Sequence, residues 1–385
     1  MQTTIRNGRV LLPDGEIART GVVLEDGRIL SVGGAPDANG REIDARDLLV
    51  LPGIVDIHGD AFERQLMPRP GVHFDTGLGL LDSDRQILAN GITTAFHGVT
   101  SSWEPGLRGR EAMLDFLRAF DEVRPLLGCE TLLHLRYETY NLDAVDEVEG
   151  WLAEGRVQML GFNEHLALMT KNLDRYEKMS VYLNRTGLDR GDFIALLDGL
   201  RGRAGEVSAG IERLAAAARA HGVPMASHDD PDPETRRWFH DIGCRISEFP
   251  VDRATAEASV AMGDPVVLGA PNALRGKSHD KRITASEAVA AGLCGVLTSD
   301  YYYPAQLQAA FVLAAGDPAA LGRCWELVSG GPARAAGLDD RGAIEPGKRA
   351  DMVFVDDSVP RLPRAVATFV AGRPVFDTVG LGLLA

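Results

Sequence analysis

A histidine and an aspartate stand two residues apart directly after a short apolar run at residues 54–57. The run has the length and β-branched content of a buried strand, and residues i and i+2 of an extended chain point to the same side. His58 and Asp60 can therefore aim an imidazole and a carboxylate at one point, as a metal ion requires. A single pair of this kind is more often a capped turn, so the metal hypothesis depends on partners elsewhere in the chain.

Further side chains able to bind a metal follow other apolar runs, and these are Glu138, His165, His228 and Asp300. Each alone would more often be a hydrogen-bonded structural residue, but their independent recurrence at strand ends favours a shared centre. Histidine and carboxylate ligands suit one or two divalent ions, with zinc as the prediction and manganese or iron as alternatives. Glu138 is the predicted bridge between two ions, because no lysine ends a predicted strand and could serve as a carbamate. His97 and His134 also lie near strands, and their roles are left open between functional and structural.

Eight predicted strands must position these groups, and they begin near residues 53, 91, 129, 156, 224, 245, 265 and 295. Helical patterns separate most of them. This alternation predicts an α/β fold in which a parallel sheet closes into a (β/α)8 TIM-type barrel, with the chemistry at the carboxyl ends of the strands. A doubly wound open sheet is the structural alternative, but no G-x-G-x-x-G follows the first strand.

Both ends of the chain read as short strands and tight turns, with hairpin signals at Asn7-Gly8, Asp14-Gly15 and Asp26-Gly27. Neither end has enough apolar residues to fold alone, so residues 1–50 together with 344–385 are predicted to form a small composite β-sandwich. Residues 51–343 then form the barrel, with a helical insertion at about 166–208. Two separate hairpins attached to the barrel are the alternative.

The composition limits the possible partners. The chain has 385 residues, 45% of them hydrophobic, and a formal net charge of −15. Such an acidic chain has no overall field to hold nucleic acid, and no apolar run approaches membrane-spanning length, so neither partner is expected. The four cysteines, which are far apart, indicate reduced thiols in a cytoplasmic protein, and the first residues lack the apolar core of a signal peptide.

Long motifs in the chain resemble a known family. VLPGIVDIHGD, the GITT and TSD strands and the closing GAIEPGKRADMVFVD resemble the amidohydrolase superfamily, whose members are (β/α)8 barrels with a composite β-sandwich. Within it, DIHGDAFERQLMPRPGV, HLRYE, ASHDD, EFPVDRATAEA, LGAPNALRGKSH and TSDYYYPAQL are similar to the PhnM family of phosphonate metabolism. The motifs occur in order over nearly the whole chain. Around His165 the chain departs from the family pattern.

The resemblance implies hydrolysis of α-D-ribose 1-methylphosphonate 5-triphosphate to the 5-phosphate and diphosphate. It also implies that His58, Asp60, Glu138, His165, His228 and Asp300 occupy the metal-site positions. Asp300 is the expected general base that takes a proton from the attacking water. The partner is then a small phosphorylated substrate, and a homodimer is the candidate oligomeric state.

A triphosphate substrate requires cations, and the chain offers several near predicted strand ends. The predicted substrate-binding residues are Arg64, Arg69, Arg136, Arg275, Lys277, His279 and Lys281. The last four follow the seventh strand, where phosphate sites are frequent in such barrels, although a solvated loop is an equal alternative.

Two other functions stay open on sequence grounds. The same metal centre could serve another substrate, as in a deaminase, a cyclic amidase or a different triphosphate diphosphatase. Alternatively, the chain could be a non-catalytic partner in a phosphonate pathway complex.

Overall fold

The computed structural model describes residues 2–33, 40–69, 71–276 and 283–381. The first strands belong to the N-terminal end, and they are β1 (Thr3–Leu11), β2 (Ile17–Glu25), β3 (Arg28–Val32), β4 (Arg41–Asp44) and β5 (Leu49–Pro52). The barrel strands are β6 (Ile54–Gly59), β7 (Ile92–Ser101), β8 (Glu130–Glu138), β9 (Met159–Asn163), β10 (Met225–His228), β11 (Ile246–Glu248), β12 (Val266–Gly269) and β13 (Val296–Thr298). The C-terminal strands are β14 (Met352–Asp356), β15 (Arg364–Val370) and β16 (Arg373–Asp377).

Helices follow the barrel strands and cover the sheet. They are α1 (Glu63–Leu66), α2 (Thr76–Ala89), α3 (Arg110–Val123), α4 (Val145–Ala153), α5 (Leu166–Lys171), α6 (Tyr176–Thr186), α7 (Arg190–Arg201), α8 (Val207–Ala220), α9 (Pro233–Asp241), α10 (Arg253–Ala261), α11 (Ala270–Arg275), α12 (Ala285–Ala290), α13 (Ala305–Ala314), α14 (Pro318–Glu326) and α15 (Gly330–Ala335). Several begin at a residue whose side chain caps the first turn, such as Asp75, Asp232 and Asp252. In the part of the chain that the structure describes, no helix could span a membrane.

The strands β6 to β13 pair in parallel and in sequence order. A parallel bridge between Gly59 and Asp300 brings the two edges of this sheet together, so the barrel is nearly closed. Sequential parallel pairing with a helix between strands is the geometry that the alternating pattern predicts. The predicted barrel is therefore confirmed.

Both chain ends contribute to a separate mixed sheet. Its strands lie in the order β16-β15-β14-β5-β1-β2-β3, and β4 also pairs with β1. β5 joins the two halves, because it pairs in parallel with β1 and antiparallel with β14. The sheet has its own buried cluster, which includes Ile5, Val22, Phe354 and Phe369. The expected assembly of both ends into one small β-structure is confirmed by this pairing.

The barrel interior and the surrounding layer have different cores. All eight barrel strands contribute to an inner cluster, which includes Val55, Phe96, Leu132, Ala226 and Ile246. Residues between these positions face outwards because side chains alternate along a strand. On β8, Leu133, Leu135 and Tyr137 accordingly pack in a second cluster with residues of α3, α4 and α8. This alternation decides which polar side chains reach the mouth of the barrel.

Helices α5, α6 and α7 lie between β9 and α8, within the predicted insertion at 166–208. They share a small buried cluster of their own, which includes Met169, Met179, Tyr182, Phe193 and Leu197. An ion pair between Arg185 of α6 and the buried Glu104 ties the insertion to the loop after β7.

Candidate metal and active site

Strand alternation brings polar groups to the inner face of the barrel, next to its apolar core. His134, His228 and Glu248 each stand two residues beyond an inner core residue of the same strand. His58 reaches the same space from β6, whose pairing with β7 shifts register between Asp56 and Gly59. The sequence thus places three imidazoles and a carboxylate in one layer near the carboxyl ends of the strands.

Glu248 is the central carboxylate of this layer. One of its oxygens lies 3.0 Å from Nδ1 of His58 and 3.9 Å from Nδ1 of His134, and the other lies 3.2 Å from Nδ1 of His228. Burial alone would raise the pKa of Glu248, but the nearby His58 and His134 and the hydrogen bonds from the imidazoles outweigh burial and hold that pKa well below its usual value. Because His58 and His228 meet Glu248 through Nδ1, their Nε2 atoms stay available for a metal or substrate.

Two groups of side chains have donor atoms close enough to hold a metal ion. The first comprises His58, His134 and Glu248, and the second comprises His165, His228 and Asp229, among the residues that the structure describes. The ring centroids of His58 and His228 are 5.3 Å apart, and those of His228 and His165 are 6.2 Å apart, so the groups adjoin. Nε2 of His134 is buried without a hydrogen-bond partner in the described residues. Neutral imidazoles with carboxylates fit a divalent ion such as zinc.

The predicted metal ligands converge on this region, but not all of them belong to these two groups. His58 lies in the first group, and His165 and His228 lie in the second. Glu138 accepts a 2.5 Å hydrogen bond from Nδ1 of His165. These four residues surround a common space, as the strand-end argument requires, while their role as ligands stays a prediction.

Asp60 and Asp300 lie in neither group, although both adjoin His58. Asp60 forms a 3.0 Å ion pair with the buried Arg136. The backbone amide of Asp300 donates to the carbonyl of His58, and the amide of Asp60 donates to the carbonyl of Asp300. Burial, together with the negative charge of Asp60, raises the pKa of Asp300 to about 7. Asp60 and Asp300 as ligands, and Asp300 as the general base, stay predictions.

Three residues at the mouth have left-handed backbone although they are not glycine. Asp229 (φ 60°), Phe249 (φ 52°) and Asp300 (φ 55°) each follow a barrel strand closely. Their backbone amides bond to the neighbouring strand, since Asp229 donates to Glu248 and Phe249 donates to Val267. The ring of Phe249 packs on those of His58 and His228. Backbone of this kind is costly for non-glycine residues and is concentrated at functional sites.

The predicted cations occupy different places. Arg136 lies at the centre, paired with Asp60. Arg64 lies over the ring of Tyr301 at 5.7 Å, and Arg275 contacts the Tyr301 hydroxyl at 3.5 Å, so two predicted cations meet at one rim. Arg69 is exposed on the loop after β6. Lys277, His279 and Lys281 lie outside the described residues, and all seven stay predictions as substrate-binding residues.

His97 and His134 face opposite sides of the sheet. His97 packs against Phe62 at a centroid distance of 4.9 Å, and burial lowers its pKa to about 4. It therefore belongs to the layer between strands and helices. His134 points inwards, meets the carbonyl of Ile57 at 3.0 Å and lies beneath the candidate centre.

Two residues at the centre were not predicted from the sequence. Glu248 ends the short sixth barrel strand, and the rule that selected the other strand ends would have found it. Asn163 ends β9, is 1% exposed and has neither amide atom hydrogen-bonded among the described residues. Its position opposite Glu138 in the β8–β9 register was not readable before the strand pairing was known.

A cavity of about 1100 Å³ opens beside His228, between the ends of β9 and β10 and helices α5, α8 and α9. We call it the acidic cavity because its charged lining comprises Glu164, Asp229, Asp230, Asp232 and Glu234 against Lys171 and Arg201. Beneath it, the fully buried Arg236 pairs with Asp230 and Asp264.

The architecture is that of the amidohydrolases. The chain superposes on the N-isopropylammelide isopropylaminohydrolase of Burkholderia multivorans with a TM-score of 0.68 and 19% identity, covering 99% of this chain and 100% of that one. It superposes on the N-acetylglucosamine-6-phosphate deacetylase of Pasteurella multocida with a TM-score of 0.62 and 12% identity, covering 97% and 99% of the two chains. The barrel and the composite sheet together have the amidohydrolase fold.

A more specific similarity is found in the sequence. The chain is 29% identical over 356 residues to the alpha-D-ribose 1-methylphosphonate 5-triphosphate diphosphatase of Escherichia coli K12, covering 91% of this chain and 94% of that protein. No protein-family model matches the chain. The resemblance to the PhnM diphosphatase, first seen in the motifs, is confirmed over nearly the full length.

Proposed function

We propose that this hydrolase cleaves α-D-ribose 1-methylphosphonate 5-triphosphate, or a closely similar ribosyl triphosphate, to the 5-phosphate and diphosphate. The observation that carries the proposal is the similarity to the E. coli diphosphatase over 91% of the chain. The guanidinium groups of Arg64, Arg136 and Arg275 near the His–carboxylate centre support it, because phosphoryl transfer depends on offsetting charge rather than on covalent chemistry.

The residues of the centre have separate roles in this proposal. A bound divalent ion supplies a Lewis acid that lowers the pKa of water towards 7. His58, His165 and His228, with the carboxylates beside them, would hold it. Glu248 orients the imidazoles of His58 and His228 by accepting from their Nδ1 atoms. Arg136 holds Asp60 and places a positive charge beside the reacting phosphate.

The proposed reaction is the hydrolysis of one phosphoanhydride bond by one water molecule. Water attacks the α-phosphorus of the triphosphate, and the bond between that phosphorus and the oxygen leading to the β-phosphorus breaks. Asp300 accepts the proton lost by the attacking water and returns it to the leaving diphosphate or to solvent. The products are the 5-phosphate and diphosphate. A cytoplasmic location and a homodimer stay predictions.

The test is diphosphate release by the purified full chain supplied with zinc or manganese. Asp300→Asn is expected to lower the turnover number by about 10²–10⁴-fold, since it removes the proton acceptor. The matched control is Asp241→Asn, which changes an exposed aspartate at the end of α9 and should leave turnover unchanged. Metal content measured by elemental analysis separates loss of a proton acceptor, which leaves it unchanged, from loss of a metal ligand, which lowers it.

Two outcomes would contradict the proposal. If ribosyl triphosphates are inert while a cyclic amide or an aminated base is turned over, the substrate assignment is wrong. If Asp300→Asn retains full turnover, the assigned proton acceptor is wrong.

A further inference from the structure

A second cavity, of about 730 Å³, lies near the carboxyl ends of β6 and β7. It is enclosed by the loop after β6, the turn after β7 and the carboxyl end of α6. Its charged lining comprises Arg108, Arg110 and Arg185 with Glu63, Glu111 and Asp115, and we call it the arginine cavity. Its volume falls in the range of small-molecule sites.

The turn at residues 105–110 is built to bring a helix end to this cavity. Gly106 has a φ of 82°, and a Cβ there would lie 2.5 Å from the carbonyl oxygen of Arg185. A Cβ on Gly109 would lie 2.6 Å from the carbonyl oxygen of Glu104. Glycine at both positions lets the chain turn tightly and begin α3, whose first residues Arg110 and Glu111 line the cavity.

The first turn of α3 has backbone amides to offer. The first amides of any helix have no acceptor within the helix, and no side chain caps α3 at Gly109. The 14-residue helix directs these amides and the positive end of its dipole towards its N-terminus. This is the geometry of an anion site, but a helix end alone would not establish one.

Independent evidence comes from two buried donors in the same cavity. Thr100, at the end of β7, is 5% exposed, and its hydroxyl has no hydrogen-bond partner among the described residues. Nε of Arg108 is likewise buried without a partner in the part of the chain that the structure describes. Buried donors are normally satisfied, so each of these is available to an acceptor on a bound molecule.

Neighbouring carboxylates fix the arginine side chains without closing the cavity. Arg108 donates to Glu63 at 2.9 Å through Nη2, which leaves its Nε edge free. Arg185 makes hydrogen bonds to both carboxylate oxygens of Glu104, at 2.8 Å and 2.6 Å. A guanidinium held in this way loses little further freedom when it binds an oxyanion.

The wall of the arginine cavity and the candidate centre share the loop after β6. The amide of Glu63, which pairs with Arg108, donates to the carbonyl of Asp60 at 3.1 Å. Asp60 in turn pairs with Arg136 and adjoins His58.

We propose that the arginine cavity binds the leaving diphosphate portion of the triphosphate, with the first-turn amides of α3, the Thr100 hydroxyl and the Arg108 guanidinium as donors. This assignment rests on the proposed function for the identity of the substrate. The acidic cavity suits only the uncharged hydroxyl groups of the ribose, because its carboxylates repel the triphosphate and the methylphosphonate alike.

The test measures binding of inorganic diphosphate to the full chain by titration calorimetry, with and without zinc. Thr100→Val keeps the shape of the side chain and removes its hydroxyl, and it is expected to weaken diphosphate binding about fivefold to tenfold. Arg108→Lys keeps the charge but removes Nε, and it should weaken binding by at least about tenfold.

Thr139→Val is the matched control. Thr139 directly follows a barrel strand, is 3% exposed and has a hydroxyl without a partner among the described residues, but it lines the acidic cavity. Its diphosphate affinity should stay within about twofold of the unchanged protein. Thermal unfolding of all variants establishes that they are folded.

The outcomes separate this inference from the proposed function. If the unchanged protein releases diphosphate but Thr100→Val binds it as tightly as Thr139→Val does, the cavity assignment is wrong and the function stands. If no triphosphate is hydrolysed while diphosphate binding still depends on Thr100 and Arg108, the function is wrong and the anion site stands.

Discussion

The arginine cavity and the acidic cavity both lie near the carboxyl ends of barrel strands, and they differ in the balance of their charged side chains. The arginine cavity follows β6 and β7, and its arginines are partly exposed and held by single carboxylates. The acidic cavity follows β9 and β10, and its carboxylates outnumber its cations. In the arginine cavity three arginines are matched by three carboxylates, so the two cavities differ in charge balance because the loops rather than the strands carry the charge.

In the proposed function, an acidic protein has to accept a polyphosphate. The chain has a net charge of −15, so long-range attraction does not bring a triphosphate to it. Local donors must do so instead. The arginine cavity offers such donors, and the carboxylates of the acidic cavity can accept hydrogen bonds from hydroxyl groups.

The largest expected effect concerns the buried ion network under the acidic cavity. Arg236 is fully buried and pairs with Asp230 and Asp264. Arg236→Met should lower the free energy of unfolding by about 3–5 kcal/mol, because it leaves two buried carboxylates without their partner. Chemical denaturation monitored by fluorescence would measure this loss.

The matched control for this change is Arg237→Met, which alters the exposed neighbour on the same helix. Arg110→Met, in the arginine cavity, breaks an exposed ion pair with Glu147. It should lower the free energy of unfolding by only about 0–1 kcal/mol. Equal losses of stability in Arg236→Met and Arg110→Met would show that the charges at the two cavities do not differ in burial.

The next effect concerns metal affinity. Glu248→Gln removes the carboxylate that orients His58 and His228, and it should lower zinc affinity by about 10–100-fold. Competition with a chromophoric chelator would measure the change. Glu164→Gln, at the exposed rim of the acidic cavity, should leave affinity unchanged. Unchanged zinc binding in the Glu248 variant would remove Glu248 from the centre.

The smallest effect concerns recognition of the substrate at the rim. Arg64 is exposed and stacks on Tyr301, so Arg64→Gln should raise KM for the triphosphate about twofold to fivefold with kcat nearly unchanged. Steady-state kinetics of diphosphate release would measure both constants. Lys171→Gln changes a cation of the acidic cavity and should alter neither. An equal rise in KM for Lys171→Gln would show that the cations of the acidic cavity contribute to substrate binding as much as Arg64 does.

Much of the fold was readable from local patterns. Each predicted barrel strand begins within about three residues of an observed one, because a buried parallel strand is a short apolar run bounded by turn residues. The same rule selected His58, Glu138, His165, His228 and Asp300, since polar residues at the carboxyl ends of such strands meet at one mouth. Pairing of the two chain ends followed from their shared turn chemistry and small apolar content.

Other features of the site could not be predicted in this way. β11 has only three residues, and the place of Glu248 between His58 and His228 depends on contacts across 190 and 20 positions of the chain. The register shift in β6 turns His58 towards Glu248, and hydrophobic alternation does not encode it. The charged lining of the acidic cavity comes from loops whose sequences resemble solvated surface.

The sequence by itself determined the strands, their order and the identity of the groups at their ends, because these depend on local propensity and on the two-residue alternation of an extended chain. Only the tertiary structure decided which of those groups touch one another. It also decided that Thr100, Arg108 and Arg185 enclose a single cavity, because that arrangement depends on how loops from distant parts of the chain pack once the barrel has closed.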